Sequence, residues 1–175
     1  KYNFENYYDL SNEKKYSTKL ELYLIANCHL GIVPESGTEV LFRLYKKPLL
    51  RINNTNPIMS YPTMSFEMSL MQKNYLHKLG RYAKLDDYFT LDVINFPRSE
   101  KIHDFKKNSH EEIEFAFYQL LKKIENNFEM SEKDLELKNK ILPHLANYRS
   151  KNRRYKKWFC EDGWIGDGTL LDINL

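Results

Sequence analysis

Two short apolar runs, Leu30–Val33 and Leu49–Ile52, stand on either side of one amphipathic segment, Thr38–Lys46. That spacing constrains the fold more than any other feature of the chain. Each run is too short for a helix and reads as a buried strand. The first breaks at Pro34 and opens into Glu35-Ser36-Gly37-Thr38; the second follows Lys46-Lys47-Pro48 and stops at Asn53-Asn54. Between them Val40, Leu41, Leu44 and Tyr45 are spaced for one helical face, and Lys46 and Lys47 suit the C-terminal end of that helix. Strand, small-residue turn, helix and strand in succession predict an α/β fold, a Rossmann-like parallel sheet flanked by helices. In such sheets ligands bind beyond the carboxyl ends of the strands. Glu35-Ser36-Gly37 and Asn53-Asn54 both lie at carboxyl ends, so they are expected on one rim and as one site.

Around this unit the chain reads as follows. Lys19–Cys28 predicts a helix with Leu20, Tyr23 and Leu24 on its stripe. Residues 54–65, with Pro57 and Pro62, predict a long loop beside the rim. Residues 67–79 are expected to be partly helical, 85–93 a short helix and 96–107 irregular around Pro97. Ser109–Asn126 is the clearest helix: Ser109 and Glu112 fit a capping box, and Ile113, Ala116, Phe117, Leu120, Leu121 and Ile124 form its apolar stripe. Residues 131–148 predict another helix, broken or kinked at Pro143.

With 175 residues the chain can build one domain with a real core and a small appendage. The expected division is a Rossmann-like domain over 1–128 and a helical, basic C-terminal extension over 129–175. Six glycines and six prolines are too few for a many-turned β-sandwich and favour helices. A net charge of +3 gives no reason to expect nucleic acid as a partner. Cys28 and Cys160 are far apart, without pairing or metal spacing, which suits a reducing cytoplasm. His29, His77, His103, His110 and His144 are scattered and form no ligand set, so no metal and no cofactor is expected. There is no apolar run of membrane-spanning length. The chain begins at Lys1 without a methionine and is expected to be a fragment of a longer protein.

The Ser36-Gly37-Thr38 turn offers backbone N–H groups and two hydroxyls where a helix begins, an arrangement suited to a phosphate. The plainer alternative is an N-cap, since Ser at a helix start is stabilising in its own right. Glu35 beside a phosphate is unfavourable unless it bonds to a hydroxyl, a cation or the helix start. Glu39, one turn on, could reach a ribose hydroxyl. Tyr61 follows the Asn53-Asn54 rim and could stack a base or a sugar, ahead of the Tyr7-Tyr8 pair.

The segment ANCHLGIVPESGTEVLFRLYKKPLLRIN resembles the nucleotide-sugar-binding, C-terminal half of GT-B glycosyltransferases, and UDP-N-acetylglucosamine 2-epimerases share its pattern. The chain further resembles a glycosyltransferase family from bacterial surface-polysaccharide gene clusters. YLIANCHLGIVPESG is similar to that family's helix, strand and turn, NNTNPIMSYP to its post-strand loop, NSHEEIEFAFYQLLKKI to its late helix and IGDGTLLDINL to its closing segment. The resemblance implies that Ser36, Gly37 and Thr38 hold the diphosphate of a nucleotide-sugar donor. It places Glu39 near the ribose or sugar and turns Asn53 and Asn54 toward the same cleft. It also implies an N-terminal acceptor domain outside this chain. The E-x-x-x-x-x-x-E pattern of many retaining GT-B enzymes is absent, because Glu35 and Glu39 have the wrong separation. No catalytic base can be named.

Arg149, Lys151, Arg153, Arg154, Lys156 and Lys157 form a basic run interleaved with Tyr148, Tyr155 and Trp158. It is either a solvated face or a surface for an anionic membrane, a lipid-linked acceptor or nucleic acid; of the latter three, membrane attachment is preferred and would make the protein cytoplasmic and peripheral at the inner membrane. Sugar transfer thus stands beside two alternatives: a nucleotide-sugar epimerase of the same fold, and a non-catalytic α/β interaction module with a basic surface.

Overall fold

The computed structural model describes residues 10, 16–57, 60–90, 102–127, 129–151 and 164–165. Helix α1 (Thr18–Asn27) leads into strand β1 (Gly31–Pro34), helix α2 (Glu39–Leu44) and strand β2 (Leu49–Asn54). Strands β3 (Glu67–Met71), β4 (Lys73–Leu76) and β5 (Arg81–Tyr82), helix α3 (Asp87–Thr90) and strand β6 (Ile102–Lys106) follow. Helices α4 (His110–Ile124) and α5 (Glu132–Lys151) and the short strand β7 (Trp164–Ile165) complete the order. The strand–helix–strand unit therefore forms where the two apolar runs place it.

One sheet has the order β1-β2-β3-β7, and every neighbouring pair in it is parallel. Residues alternate between its faces along each strand. Val33 and Leu49 pack with Ile25 of α1 and Phe42 of α2 on one face. Leu50, Met68 and Leu70 pack with Ala116 and Leu120 of α4 on the other. Helices thus cover both faces, the arrangement that buries a parallel sheet, and the fold is a generic Rossmann-like α/β layer. Gly31 is needed for this packing: a Cβ there would lie 2.1 Å from Cε1 of Phe42.

The second sheet, β5-β4-β6, is antiparallel. It corrects two expectations. Residues 67–79 are strands with one 3-10 turn at His77–Leu79 rather than partly helical, and the described part of 96–107 holds β6. The cause is visible in β3. All five of its residues are buried, the polar Glu67 and Ser69 among them, so no apolar period marks it as a strand. The α5 helix runs continuously through Pro143 rather than breaking there. Within the expected helix at 85–93 the described residues give only α3, and 91–93 lie outside them.

Between β2 and β3 the described residues, 55–57 and 60–66, form neither helix nor strand. Asn56, Ser60 and Tyr61 in this loop are buried. A buried loop must find partners for its backbone polar groups. Here Arg51 Nη1 and Ser69 Oγ both donate to the carbonyl of Ser60, at 3.0 and 2.7 Å, and the N–H of Thr63 donates to Glu67 Oε2 at 2.8 Å.

Candidate functional site at the carboxyl rim

The carboxyl ends of β1 and β2 meet as the parallel pairing requires. Glu35, just past β1, accepts hydrogen bonds at Oε2 from the N–H (2.9 Å) and hydroxyl (2.8 Å) of Thr55, just past β2. Two loops distant in sequence are thereby clamped into one rim. The same contact shows what Glu35 does beside the 36–38 turn: its carboxylate is engaged by two donors of the protein.

Ser36 and Gly37 are exposed and Thr38 is half-buried. The chain enters α2 through a tight turn in which Glu39 N–H bonds to Ser36 O (3.4 Å) and Val40 N–H to Gly37 O (3.2 Å). Thr38 is already helical (φ −62°, ψ −29°) and its hydroxyl makes no capping bond. Gly37 has neither a positive φ nor any atom within 4 Å of where a Cβ would sit. Its lack of a side chain therefore serves no packing or backbone need of the described protein, and the space above it is open.

Glu39 turns away from the rim. Its Oε1 lies 3.0 Å from Arg43 Nη1 and its Oε2 lies 2.5 Å from Arg51 Nε. Arg43 continues to Glu67, Nη2 to Oε1 at 2.6 Å, and Arg51 Nη1 reaches the same oxygen at 3.4 Å. Two arginines and two glutamates make an electrically balanced group beneath α2, with the Glu67 side chain fully buried. Burial disfavours the Arg43 cation, but its bonds and charge interactions with Glu67 and Glu39 outweigh that and raise its pKa above the ordinary arginine value. Charges out of water persist only when paired in this way. Glu39 is thus positioned as an ion-pair partner of Arg43 and Arg51.

Asn53 adopts a left-handed conformation (φ 56°) at the end of β2. It exchanges two bonds with Asn108: its N–H donates to Asn108 Oδ1 at 2.6 Å, and Asn108 N–H donates to its Oδ1 at 2.8 Å. Asn54 is fully buried, and its Nδ2 donates to the carbonyls of Arg51 (3.1 Å) and Leu70 (3.0 Å). Both asparagines hold the rim together, tying β2 to β3 and to the start of α4. Tyr61 is buried, 1% exposed. Next to Thr55, Asn74 Nδ2 donates to the Thr55 carbonyl (2.9 Å) and to the hydroxyl of the buried Tyr88 (2.7 Å).

Thr55, Arg51, Glu67 and Asn108 were not singled out by sequence. Arg51 carried a signal: a charged residue inside a buried apolar strand must have a partner, and Glu39 to Arg43 has the i,i+4 spacing of a helical ion pair. Thr55 and Asn108 carried none, because their roles depend on partners 20 and 55 residues away. Among the described residues no group of three or more His, Cys, Asp or Glu side chains is placed to hold a metal, and no helix is long and apolar enough to cross a membrane. In the basic run, residues 149–151 close α5 and 152–157 lie outside the described residues. Compared with known proteins, the chain matches no family model, no curated protein and no solved structure.

Proposed function

We propose that this chain is the donor-binding half of a glycosyltransferase that moves a sugar from a nucleotide-sugar to a surface-polysaccharide or other glycan acceptor. One observation carries the reading: Glu35 and Thr55 clamp the exposed Ser36-Gly37 turn and the post-β2 segment into a single rim at the carboxyl end of a parallel sheet. Nucleotide ligands favour that place in open α/β sheets. The open space over Gly37 allows a diphosphate to approach the backbone closely. The resemblance of residues 26–53 to nucleotide-sugar-binding halves supplies the identity of the guest.

In this role the N–H groups and hydroxyls of the 36–38 turn bond to the diphosphate. As the bond to the sugar breaks, negative charge builds on the leaving diphosphate, and preorganised donors already in place lower the barrier without having to reorient. Glu39 does not serve as a base here, since both its oxygens are committed to arginines. The general base and the acceptor contacts belong to the acceptor side of the cleft.

Calorimetric titration with UDP, GDP and CMP tests the reading. At least one is expected to bind. Gly37→Val, which fills open space and strains no backbone, is expected to weaken that binding about tenfold or more while the fold is kept. Absence of binding by all three at millimolar concentration, or binding unaffected by Gly37→Val, would overturn it.

A further inference from the structure

In the antiparallel sheet β5-β4-β6 the residues of β4 alternate between buried and half-buried. Asn74 and Leu76 of β4 are buried, while Lys73 and Tyr75 alternate with them on the other side. The register sets Tyr82 of β5 and Asp104 of β6 opposite Tyr75, and Lys106 of β6 opposite Lys73. Paired residues share a face, so this face carries two tyrosines, two lysines and a carboxylate, and His77 joins them from the end of β4. The rings cluster edge to face: Tyr75 lies 5.1 Å from His77 and 5.4 Å from Tyr82 between centroids. His77 Nε2 is 3.3 Å from Asp104 Oδ2. Tyr82 remains 43% exposed and Asp104 76% exposed, so the cluster faces outward rather than forming a core.

Two features of this face run against its own stability. Lysines directly opposite one another across strands repel, and among the described residues the one ion pair of Lys73 is a long contact, 3.9 Å, to Glu112. Large aromatic surface is also left in water. Local rules are broken in this way where a surface is kept for a ligand.

We propose that the outer face of this sheet binds a saccharide chain bearing carboxylate or phosphate groups. The C–H face of a sugar ring packs on an exposed tyrosine as apolar surface. The Lys73–Lys106 pair takes the anionic group. Asp104 and His77 exchange hydrogen bonds with ring hydroxyls, which both donate and accept. A single-stranded nucleic acid suits the face less well. It carries a phosphate on every residue and wants an uninterrupted basic track, whereas the Asp104 and Glu112 carboxylates sit among these lysines. The site is separate from the turn at 36–38. Under the proposed function its ligand is a stretch of the acceptor glycan away from the reacting end, and its binding does not depend on a nucleotide.

The probes are trigalacturonate, neutral cellotriose and the oligonucleotide dT10, each titrated calorimetrically at 50 and 300 mM NaCl. Trigalacturonate is expected to bind, to weaken with salt, and to bind better than the other two. Tyr82→Ala and Lys106→Glu, checked for fold by circular dichroism, are each expected to weaken it about fivefold or more, with the milder Lys106→Gln in the same direction. Nucleotide binding at the rim is measured on the same variants and is expected to be unchanged, so the two sites succeed or fail separately. No trigalacturonate binding at about 10 mM, tighter binding of dT10, or folded variants that bind as well as the parent would overturn the proposal.

Discussion

Arg51 stands in a strand whose neighbours Leu49 and Leu50 are fully buried, and its own side chain is 3% exposed. Such a residue survives only because Glu39, Glu67 and the Ser60 carbonyl surround it. Removing one partner of a buried pair leaves the other uncompensated, which costs about 3 kcal/mol or more. Arg51→Met is therefore expected to lower the unfolding free energy by about that amount, read as a lower urea midpoint with little change in slope, and Arg51→Met with Glu67→Leu to cost less than the sum of the two singles. Asp87 shows the pH side of the same chemistry. Burial works to raise its pKa. The paired bonds from Arg81 (2.6 and 3.0 Å) and the Lys84 N–H (2.6 Å) outweigh that, and the net pKa is lowered. A depressed carboxylate adds stability above its unfolded pKa of about 4 and loses it as pH falls through the lower folded value. Acid unfolding followed by circular dichroism is expected to show a shallower loss of stability below about pH 4 in Asp87→Asn than in the parent, from a lower starting stability.

At the scale of elements, β1 and α2 dock through the missing side chain of Gly31, where Phe42 fills the space. Gly31→Ala is expected to cost about 2 kcal/mol in chemical denaturation, and Phe42→Leu in the same chain to recover part of it. For α4, the Ser109 hydroxyl accepts from Glu112 N–H (3.2 Å) and Glu112 Oε2 accepts from Ser109 N–H (2.8 Å). Ser109→Ala is expected to lower stability by about 1 kcal/mol in the same measurement. Helix α4 was legible in the sequence for local reasons: a cap three residues from its partner, and apolar residues at helical spacing. Helix α2 was legible as an element but not by its face: Val40, Leu44 and Tyr45, expected on its apolar stripe, are exposed, and Phe42 is the residue that enters the core because Gly31 leaves room for its ring. Strand β3 was not legible, because Glu67 and Ser69 look like solvent positions until Arg43, Arg51 and the Ser60 carbonyl come to meet them. Nor was β4, whose alternation is set by Asn74, a buried polar residue satisfied by Thr55 and Tyr88.

At the scale of the whole molecule, sequence identified the parallel unit and placed Glu35-Ser36-Gly37 and Asn53-Asn54 at one end of it, because strand direction follows from the crossover alone. What those side chains do depends on distant partners and became visible only with the fold. Asn53 and Asn54 hold the rim, Tyr61 is buried, Glu39 serves the ion-pair group, and Glu35 clamps two loops. The backbone of the 36–38 turn, with open space above Gly37, is what remains facing outward as the candidate contact. Its use is most directly read by following the backbone amides of a labelled protein by NMR during titration with UDP. The amides of Ser36, Gly37, Thr38 and Thr55 are expected to shift together and to saturate along one curve. Shifts confined to other parts of the chain, or none at millimolar UDP, GDP and CMP, would contradict a diphosphate site on this rim.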